Sequence, residues 1–101
     1  MINKDLTFLL FYGIHLYTMM EKLHERVSVR AFFDEKGKII PLSIYWMGRN
    51  LKLLRPDAIW REKIGNSLRS YFSVSDGVNR FILSFNHETL EWRIEEVYSA
   101  G

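Results

Sequence analysis

The sequence predicts a mainly β protein: a small antiparallel meander of five to six strands that forms an SH3-like half-open barrel, preceded by an N-terminal helical or irregular segment. The chain has 101 residues, enough for one core, and 48% of them are hydrophobic. After about residue 25, turn residues recur at intervals of about 8 to 12 residues, a spacing typical of all-β folds. A small sheet with one apolar face has to curl or be covered, which favours the half-open barrel.

The chain divides into an apolar N-terminal segment, residues 1–25, and a β domain, residues 26–101. The stretch Leu6–Met20 is almost wholly apolar, but it is shorter than the roughly 20 residues that cross a bilayer. A signal peptide is not expected, because Lys4 is offset by Asp5 and no small-residue cleavage site follows. We therefore expect no membrane association.

Thr18 and Glu21 have the spacing of a capping box, which predicts a short helix from Met19 to about Glu25. Within the fold, the N-terminal segment would then act as a lid or plug. A second interpretation is that Met19 or Met20 is the biological start and that residues 1–18 are a gene-start overcall. The motivation is that residues 1–18 lack the amphipathic pattern that follows Val27.

The first predicted hairpin joins Arg26–Phe33 to Ile39–Trp46 through a turn at residues 34–37. Pairing Phe33 with Lys38 gathers the alternate apolar residues on one face: Val27, Val29, Ala31, Phe33, Ile40, Leu42 and Ile44. A slip of one residue would set Val29 and Ala31 beside Ser43 and Pro41, so burial selects the first register. Pro41 lacks an N–H and indicates an edge or a bulge at its position.

The second predicted hairpin joins Ser70–Ser75 to Val78–Phe85 around a two-residue turn, Asp76-Gly77. With that turn, one face of the hairpin collects Phe72, Val74, Phe81, Leu83 and Phe85.

The hydrophobic pattern of the remaining segments is less regular than that of the two hairpins. Residues 48–50 form a turn, Leu51–Leu54 a third strand and Gly65–Arg69 a loop. The segment Asp57–Ile64 is either a short helix or an irregular strand, because its apolar residues fit neither period. The last strand, Leu90–Tyr98, follows a turn at residues 86–89 and directs Leu90, Trp92 and Ile94 inward.

Several motifs of these strands resemble a family of small bacterial β-barrel proteins to which no biochemical activity has been assigned. The matching motifs are Arg26-Val27-x-Val29-Arg30, Asp34-Glu35-x-Gly37-x-Ile39-x-Pro41-Leu42, Ile44-x-Trp46-x-Gly48-Arg49, Tyr71-Phe72-x-Val74, the Asp76-Gly77 turn and Trp92-x-Ile94-x-x-Val97-Tyr98. The resemblance covers about residues 26–98. Some members are encoded beside translesion polymerase or recombination genes, which implies a DNA-repair setting. The sequence departs from the family in Leu51–Ile64, where members more often carry a regular strand.

The residues that usually carry chemistry do not form a recognisable site. The chain has no cysteine, which excludes a disulfide, a thiolate nucleophile and a cysteine zinc site. His15, His24 and His87 lack the spacing of a metal-ligand set. Glu91 and Glu95 are predicted to lie on the solvent face of one strand instead of in a cleft. We expect no metal, no cofactor and no enzymatic activity.

The basic residues favour nucleic-acid binding over other chemistry. The net charge of +2, from 14 Lys and Arg against 12 Asp and Glu, does not indicate nucleic acid by itself. However, basic residues dominate between Arg49 and Arg69, and cations beside exposed rings suit single strands, because the charges track phosphates while the rings stack on bases. The candidate nucleic-acid-binding residues are Arg26, Arg30, Tyr45, Arg49, Lys52, Arg55, Trp60, Arg61, Lys63 and Arg69. In the alternative interpretation, Phe32 and Tyr45 pack under the N-terminal segment and the arginines are solvated.

These features predict two alternative functions. The first is a non-enzymatic, cytoplasmic binding module, an accessory to a bacterial DNA- or RNA-handling assembly. The alternative is a protein-interaction or self-associating module that uses a sheet edge or forms a homo-oligomer through the N-terminal segment. An exposed Trp60 would mark a contact site in the least regular part of the chain.

Overall fold

The computed structural model describes residues 11–12, 15–16 and 19–99, and within them it contains strands and turns but no helix. The strands are β1 (Phe11–Tyr12), β2 (His15–Leu16), β3 (Met19–Arg26), β4 (Ser28–Phe33), β5 (Ile39–Trp46), β6 (Arg49–Lys52), β7 (Ala58–Ile64), β8 (Ser67–Ser75), β9 (Arg80–Asn86) and β10 (Trp92–Ser99). The mainly β, antiparallel fold predicted from the sequence is confirmed. No helix of the described part is long and apolar enough to cross a membrane.

The strands form two principal sheets. A five-stranded sheet has the order β3-β10-β9-β8-β7, a three-stranded sheet has the order β4-β5-β6, and β1 and β2 pair separately. Every pairing is antiparallel. The described strands do not close into a barrel, and they outnumber the five or six expected because β3 and β7 are regular strands and β1 and β2 form a further short pair.

One hydrophobic core lies between the two principal sheets. Alternate residues of each strand point to one face, and the buried ones from both sheets meet in one cluster: Ile39, Ile44, Leu51, Leu53, Phe72, Val74, Phe81, Leu83, Phe85, Trp92, Ile94 and Val97. Two edge-to-face ring contacts link the sheets, Trp46 with Phe81 at 5.5 Å and Phe33 with Phe85 at 5.7 Å.

The chain passes between the sheets at two corners. Only Val27 separates β3 from β4, and its N–H donates to the carbonyl of Trp92. After β6, the N–H of Leu53 still donates to β5, whereas that of Leu54 donates to Ser75 of the other sheet. Strands that bend from one sheet into another build corners of this kind.

The helix predicted over Met19–Glu25 is wrong, because these residues belong to β3 and pair with β10 from Arg26 to Met19. β10 supplies backbone partners on both sides of a bulge at Leu23 and His24, and this tertiary pairing overrides the local capping signal. β3 also continues past the proposed boundary near residue 25. The lid, the alternative start and the oligomer contact predicted for residues 1–18 fall largely outside the described residues.

The register predicted for the first hairpin is wrong near its turn. Phe33 pairs with Ile39 and Ala31 with Pro41, and a bulge at Leu42 then pairs Val29 with Ile44. That pairing is two residues from the predicted one, so Val29 and Ile44 keep the predicted face. Pro41 is therefore buried and Leu42 exposed, the reverse of the prediction. The bulge indicated by Pro41 is present, and it lets both Pro41 and Ile44 face the core.

The second hairpin has the predicted faces but a different turn. Ser75 pairs with Arg80, and the N–H of Asp76 donates to the carbonyl of Asn79, so the reversal centres on Gly77-Val78. This moves the pairing by two residues, and a shift of two keeps every side chain on its face.

Four smaller predictions differ from the structure. Residues 49–50 belong to β6, because the preceding turn is formed by Met47 and Gly48, whose φ values of 53° and 75° suit a two-residue hairpin turn. The predicted loop at Gly65–Arg69 is mostly strand β8, and the ambiguous Asp57–Ile64 is mostly strand β7. Leu90 is exposed, with a φ of 64°, so it precedes β10 and does not face the core.

Candidate nucleic-acid interface

The outer face of the three-stranded sheet gathers polar and aromatic side chains that alternate with the core residues. Opposite positions in β4, β5 and β6 form cross-strand rows. We call this surface the basic face, and it comprises Ser28, Arg30, Phe32, Ile40, Ser43, Tyr45, Asn50 and Lys52. One row runs Ser28, Tyr45, Asn50, and the next runs Arg30, Ser43, Lys52.

The charge of this sheet has one sign. Strands β4, β5 and β6 contain Arg30, Arg49 and Lys52, and none of their residues is an aspartate or glutamate. Neighbouring strands lie about 4.8 Å apart, so the backbones that carry Arg30 and Lys52 are roughly 10 Å from each other, with Ser43 between them. An anionic chain that runs along β5 passes between these two cations, and none of the three strands contributes a carboxylate beside them.

Two aromatic rings flank the charged row. Phe32 is 54% and Tyr45 is 58% exposed. The alternative interpretation, in which the N-terminal segment covers these rings, depends on residues that lie largely outside the described part of the chain. A depression of about 360 Å³ beside Tyr45 is lined by Ser28, Val29, Arg30, Ser43, Tyr45 and Asn50. Hydroxyl and amide groups in this depression can hydrogen-bond the edge of a base that stacks on the tyrosine ring.

The other candidate residues lie apart from this row. Arg26 forms an ion pair with Glu91 at 3.1 Å, which neutralises it. Arg49 is opposite Trp46 at the far end of β6, and Arg55 follows β6 in the segment that crosses between the sheets. The structure thus brings together Arg30, Tyr45 and Lys52 out of the ten predicted residues.

The candidates on β7 and β8 belong to the five-stranded sheet and alternate between its faces. Trp60 stacks on Tyr71 at 5.4 Å, with the rings 7° from parallel, on the face away from the core. Arg69 lies on that same face, where it is opposite Glu62, two residues after Trp60 in β7. Arg61 and Lys63 point to the opposite side of β7, so this basic segment is not one continuous patch.

Three polar members of the basic face, Ser28, Ser43 and Asn50, were not among the residues predicted from the sequence. Asn50 was assigned to a turn, and only the reversal at Met47-Gly48 places it opposite Tyr45. Two adjacent residues with positive φ are the signal that could have identified this turn, but Met is an uncommon residue in that conformation. The position of Asn50 therefore depends on tertiary information.

A serine and a histidine lie close enough together to be considered as a nucleophile and its base. Oγ of Ser70 lies 2.7 Å from Nε2 of His87, the distance required of a nucleophile and its base. Burial first, and then the charge of Arg61, lowers the pKa of His87 below 6.5. However, Ser70 is only 2% exposed, so a substrate cannot approach its oxygen, and the pair serves the structure of the β8–β9 hairpin.

A second polar group lies on the outer face of the five-stranded sheet around Glu95. Its Oε1 is 2.5 Å from Nδ1 of His24, and its Oε2 accepts a hydrogen bond of 2.6 Å from Ser84. The carboxylate stands between the hydroxyl and the imidazole, so His24 cannot act as a base toward Ser84. No three His, Asp or Glu side chains of the described residues come together as metal ligands.

The Glu95 network predicts a loss of stability in acid. Burial raises the pKa of Glu95, but hydrogen bonds from Ser84 and His24 and the charges of His24 and Arg69 outweigh it, leaving the pKa below 4.5. A carboxylate with a lowered folded-state pKa stabilises the fold above the unfolded pKa and loses that contribution as pH falls through the folded one. Urea unfolding of Glu95→Gln between about pH 3 and pH 7 should show a shallower decline below about pH 4.5 than the wild type.

Glu21→Gln provides the control for this prediction, since Glu21 is exposed on β3 and makes none of these contacts. Its unfolding curve should keep the wild-type decline. If Glu95→Gln and the wild type lose stability equally as pH falls, the network does not hold the carboxylate in its charged form.

Comparisons with family models, with curated proteins and with solved structures find no match. The resemblance to a family of small bacterial β-barrel proteins, and the DNA-repair setting that it implies, stay predictions from the sequence motifs. A fold of this class serves many functions, so the function has to be argued from the site. The geometry that carries such an argument is the basic face.

Proposed function

We propose that the protein is a non-enzymatic binding module whose basic face binds single-stranded nucleic acid. The observation that carries this proposal is the carboxylate-free row of Arg30 and Lys52, bordered by the exposed rings of Tyr45 and Phe32. Phosphates would lie along the cations while bases stack on the rings, which is how sheet surfaces hold single strands. Two antiparallel sheets joined at corners fit the SH3-like half-open barrel that we propose as the fold.

The spacing of the rings supports more than one stacked base. Tyr45 and Phe32 lie on opposite sides of the Arg30 row, four residue positions apart along the strands, or roughly 13 Å at about 3.3 Å per residue. A single strand that runs along β5 would meet one ring before the cations and the other after them. Duplex DNA does not present its bases in this way, so the site favours single strands over duplexes.

The proposed setting is the bacterial cytoplasm, as an accessory to an assembly that handles DNA or RNA. The motif resemblance supports this setting, and the basic face supplies the chemistry. The modest net charge fits an accessory role, because affinity would come from a local surface and not from the charge of the whole protein.

Charge reversal on the basic face tests the proposal. We expect a labelled oligothymidylate to bind the wild type at low salt and to bind Arg30→Glu and Lys52→Glu at least about tenfold more weakly, because each change removes an attraction and adds a repulsion. Each phosphate contact on a single strand contributes about −0.7 to the slope of the logarithm of the binding constant against the logarithm of the salt concentration. If both cations contact phosphates, affinity should therefore fall about sevenfold between about 50 and 200 mM salt. Fluorescence anisotropy measures both quantities.

Lys63→Glu is the matched control, because it changes the net charge equally but lies on the other sheet. Its affinity for the oligonucleotide should remain within about twofold of the wild type. Equal weakening by Lys63→Glu would show attraction to the whole protein instead of a site. Undetectable binding of the wild type at low salt would remove the proposal.

A protein-interaction function is favoured by a different feature, the free edge of the five-stranded sheet at β7. All seven of its residues are exposed, Trp60 and two isoleucines included. That edge does not depend on the basic face, and its chemistry indicates a particular kind of partner.

A further inference from the structure

Strand β7 is paired along one side only. All its residues, from Ala58 to Ile64, pair with β8, and β7 ends the strand order of its sheet. The other side therefore presents backbone N–H and C=O groups without a strand partner among the described residues. An exposed edge of this length can accept another chain as an additional strand.

The side chains of β7 determine which strand would fit. Ile59, Arg61 and Lys63 lie on the core side of the sheet, opposite Phe72, Ser70 and Leu68. Cross-strand neighbours of opposite charge stabilise a pairing and like charges oppose it. An added strand should therefore carry acidic residues opposite Lys63 and Arg61 and an aliphatic residue opposite Ile59.

A groove beside Ile59 supports the same chemistry. It has a volume of about 440 Å³ and lies between the start of β5 and the segment that crosses from β6 to β7. Its lining residues are Lys38, Ile40, Pro41, Leu42, Leu53, Leu54, Arg55, Pro56 and Ile59. The lining is apolar, with Lys38 and Arg55 as its two charged members, so it complements aliphatic side chains that are accompanied by negative charge.

A second copy of this chain fits the edge poorly in the registers centred on its charged residues. In a two-fold antiparallel pair of β7 strands, the residue at the centre faces its own copy. Centring on Arg61 opposes two arginines, and centring on Glu62 opposes two glutamates while setting Arg61 beside Lys63. These like-charge pairs disfavour the two registers centred on Arg61 and Glu62, whereas a register centred on Trp60 has none and is the self-pairing that the experiment has to exclude.

We propose that β7 binds an extended acidic segment of a partner protein by antiparallel strand addition, with acidic residues opposite Lys63 and Arg61 and an aliphatic residue at Ile59 that enters the groove. Read along the ligand, this is an acidic–x–acidic–x–aliphatic pattern. The x positions face Glu62 and Trp60, where Thr and Val fit a β-strand neighbour. The proposed peptide site shares only Ile40, which lines the groove, with the basic face.

The probe is a capped peptide of sequence Thr-Glu-Thr-Glu-Val-Ile-Thr, titrated into the full chain by calorimetry. We expect saturable binding that falls at least about tenfold when Glu is replaced by Lys in the peptide, or when Arg61 and Lys63 are both changed to Glu in the protein. Urea unfolding shows whether the double variant keeps its fold. Equal affinity for the Glu and Lys peptides, or no binding of the Glu peptide, overturns the proposal.

N-methylation of the peptide distinguishes strand addition from simple charge attraction. Successive N–H groups of an added strand point alternately toward and away from β7, so methylation of one alternate set should abolish binding and methylation of the other should not. Strand addition is contradicted if methylation of neither set abolishes binding, or if methylation of either set abolishes it. A protein that sediments as a dimer, and loses the dimer in Trp60→Ala, would assign the edge to a second copy and overturn the proposal.

His87 reports where the peptide lies. Burial first, and then the charge of Arg61, lowers its pKa, so a glutamate bound at Arg61 should raise the pKa of His87 in an NMR titration. An unchanged pKa in the saturated complex would place the peptide elsewhere. Lys52→Glu should leave peptide binding intact while it weakens oligonucleotide binding, so the two proposals can fail separately.

Discussion

Replacing Phe81 with Ala should cost about 3 to 5 kcal/mol of the free energy of unfolding. The ring is fully buried and contacts Trp46 of the other sheet edge-to-face. Its removal leaves a cavity at the junction of the two sheets, where β8, β9 and β10 supply the surrounding side chains. Since small domains are stable by only about 5 to 15 kcal/mol, urea unfolding of this variant should begin at much lower denaturant concentrations.

Phe32→Ala makes the same deletion at an exposed position. Phe32 lies on the outer side of the three-stranded sheet, so this variant should lose less than about 1 kcal/mol. Similar losses for the two variants would mean that the core does not lie between the sheets. Phe32→Ala should also bind the oligonucleotide more weakly without any loss of fold, which separates stability from binding.

Replacing Tyr45 with Ala should reduce affinity for an oligothymidylate roughly 5- to 150-fold, the equivalent of about 1 to 3 kcal/mol for one stacked base. Because the ring carries no charge, the slope of affinity against salt should stay as in the wild type. Anisotropy titrations at several salt concentrations measure both effects.

Tyr45→Phe is the control for stacking, since it keeps the ring and removes the hydroxyl group. It should bind within a few-fold of the wild type. If Tyr45→Phe loses as much affinity as Tyr45→Ala, the hydroxyl group and not the ring makes the contact. If Tyr45→Ala binds normally, the basic face is not where bases stack.

The sequence predicts side-chain faces well where the observed register differs from the predicted one by two residues, because such a shift leaves every side chain on its predicted face. In the second hairpin the turn moves, but Phe72, Val74 and Phe81 keep the core face because the register changes by two. In the first hairpin the bulge at Leu42 adds one residue to one strand, which exchanges Pro41 and Leu42 between the faces. A bulge changes the alternation locally, and alternation is the signal from which the register was predicted.

The candidate site was predictable where it lies within one hairpin. Arg30 and Tyr45 alternate with the residues of the predicted core face in the first hairpin, and they lie on the outer face of β4 and β5. Lys52 joins them because the chain turns at Met47-Gly48, whereas the turn was predicted at residues 48–50. The basic residues from Arg55 to Arg69 were grouped by their order in the chain, but β7 is a strand, and alternation sends Trp60 and Arg61 to opposite faces.

Mapping a bound single strand onto the protein tests the central claim most directly. In an NMR titration with a short oligothymidylate at low salt, amide and side-chain signals of Arg30, Tyr45, Asn50 and Lys52 should shift together and saturate together. Signals of β7, including those of Arg61 and Lys63, should change little. Shifts concentrated on β7, or shifts spread over both sheets without saturation, would contradict the assignment of nucleic-acid binding to the outer face of the three-stranded sheet.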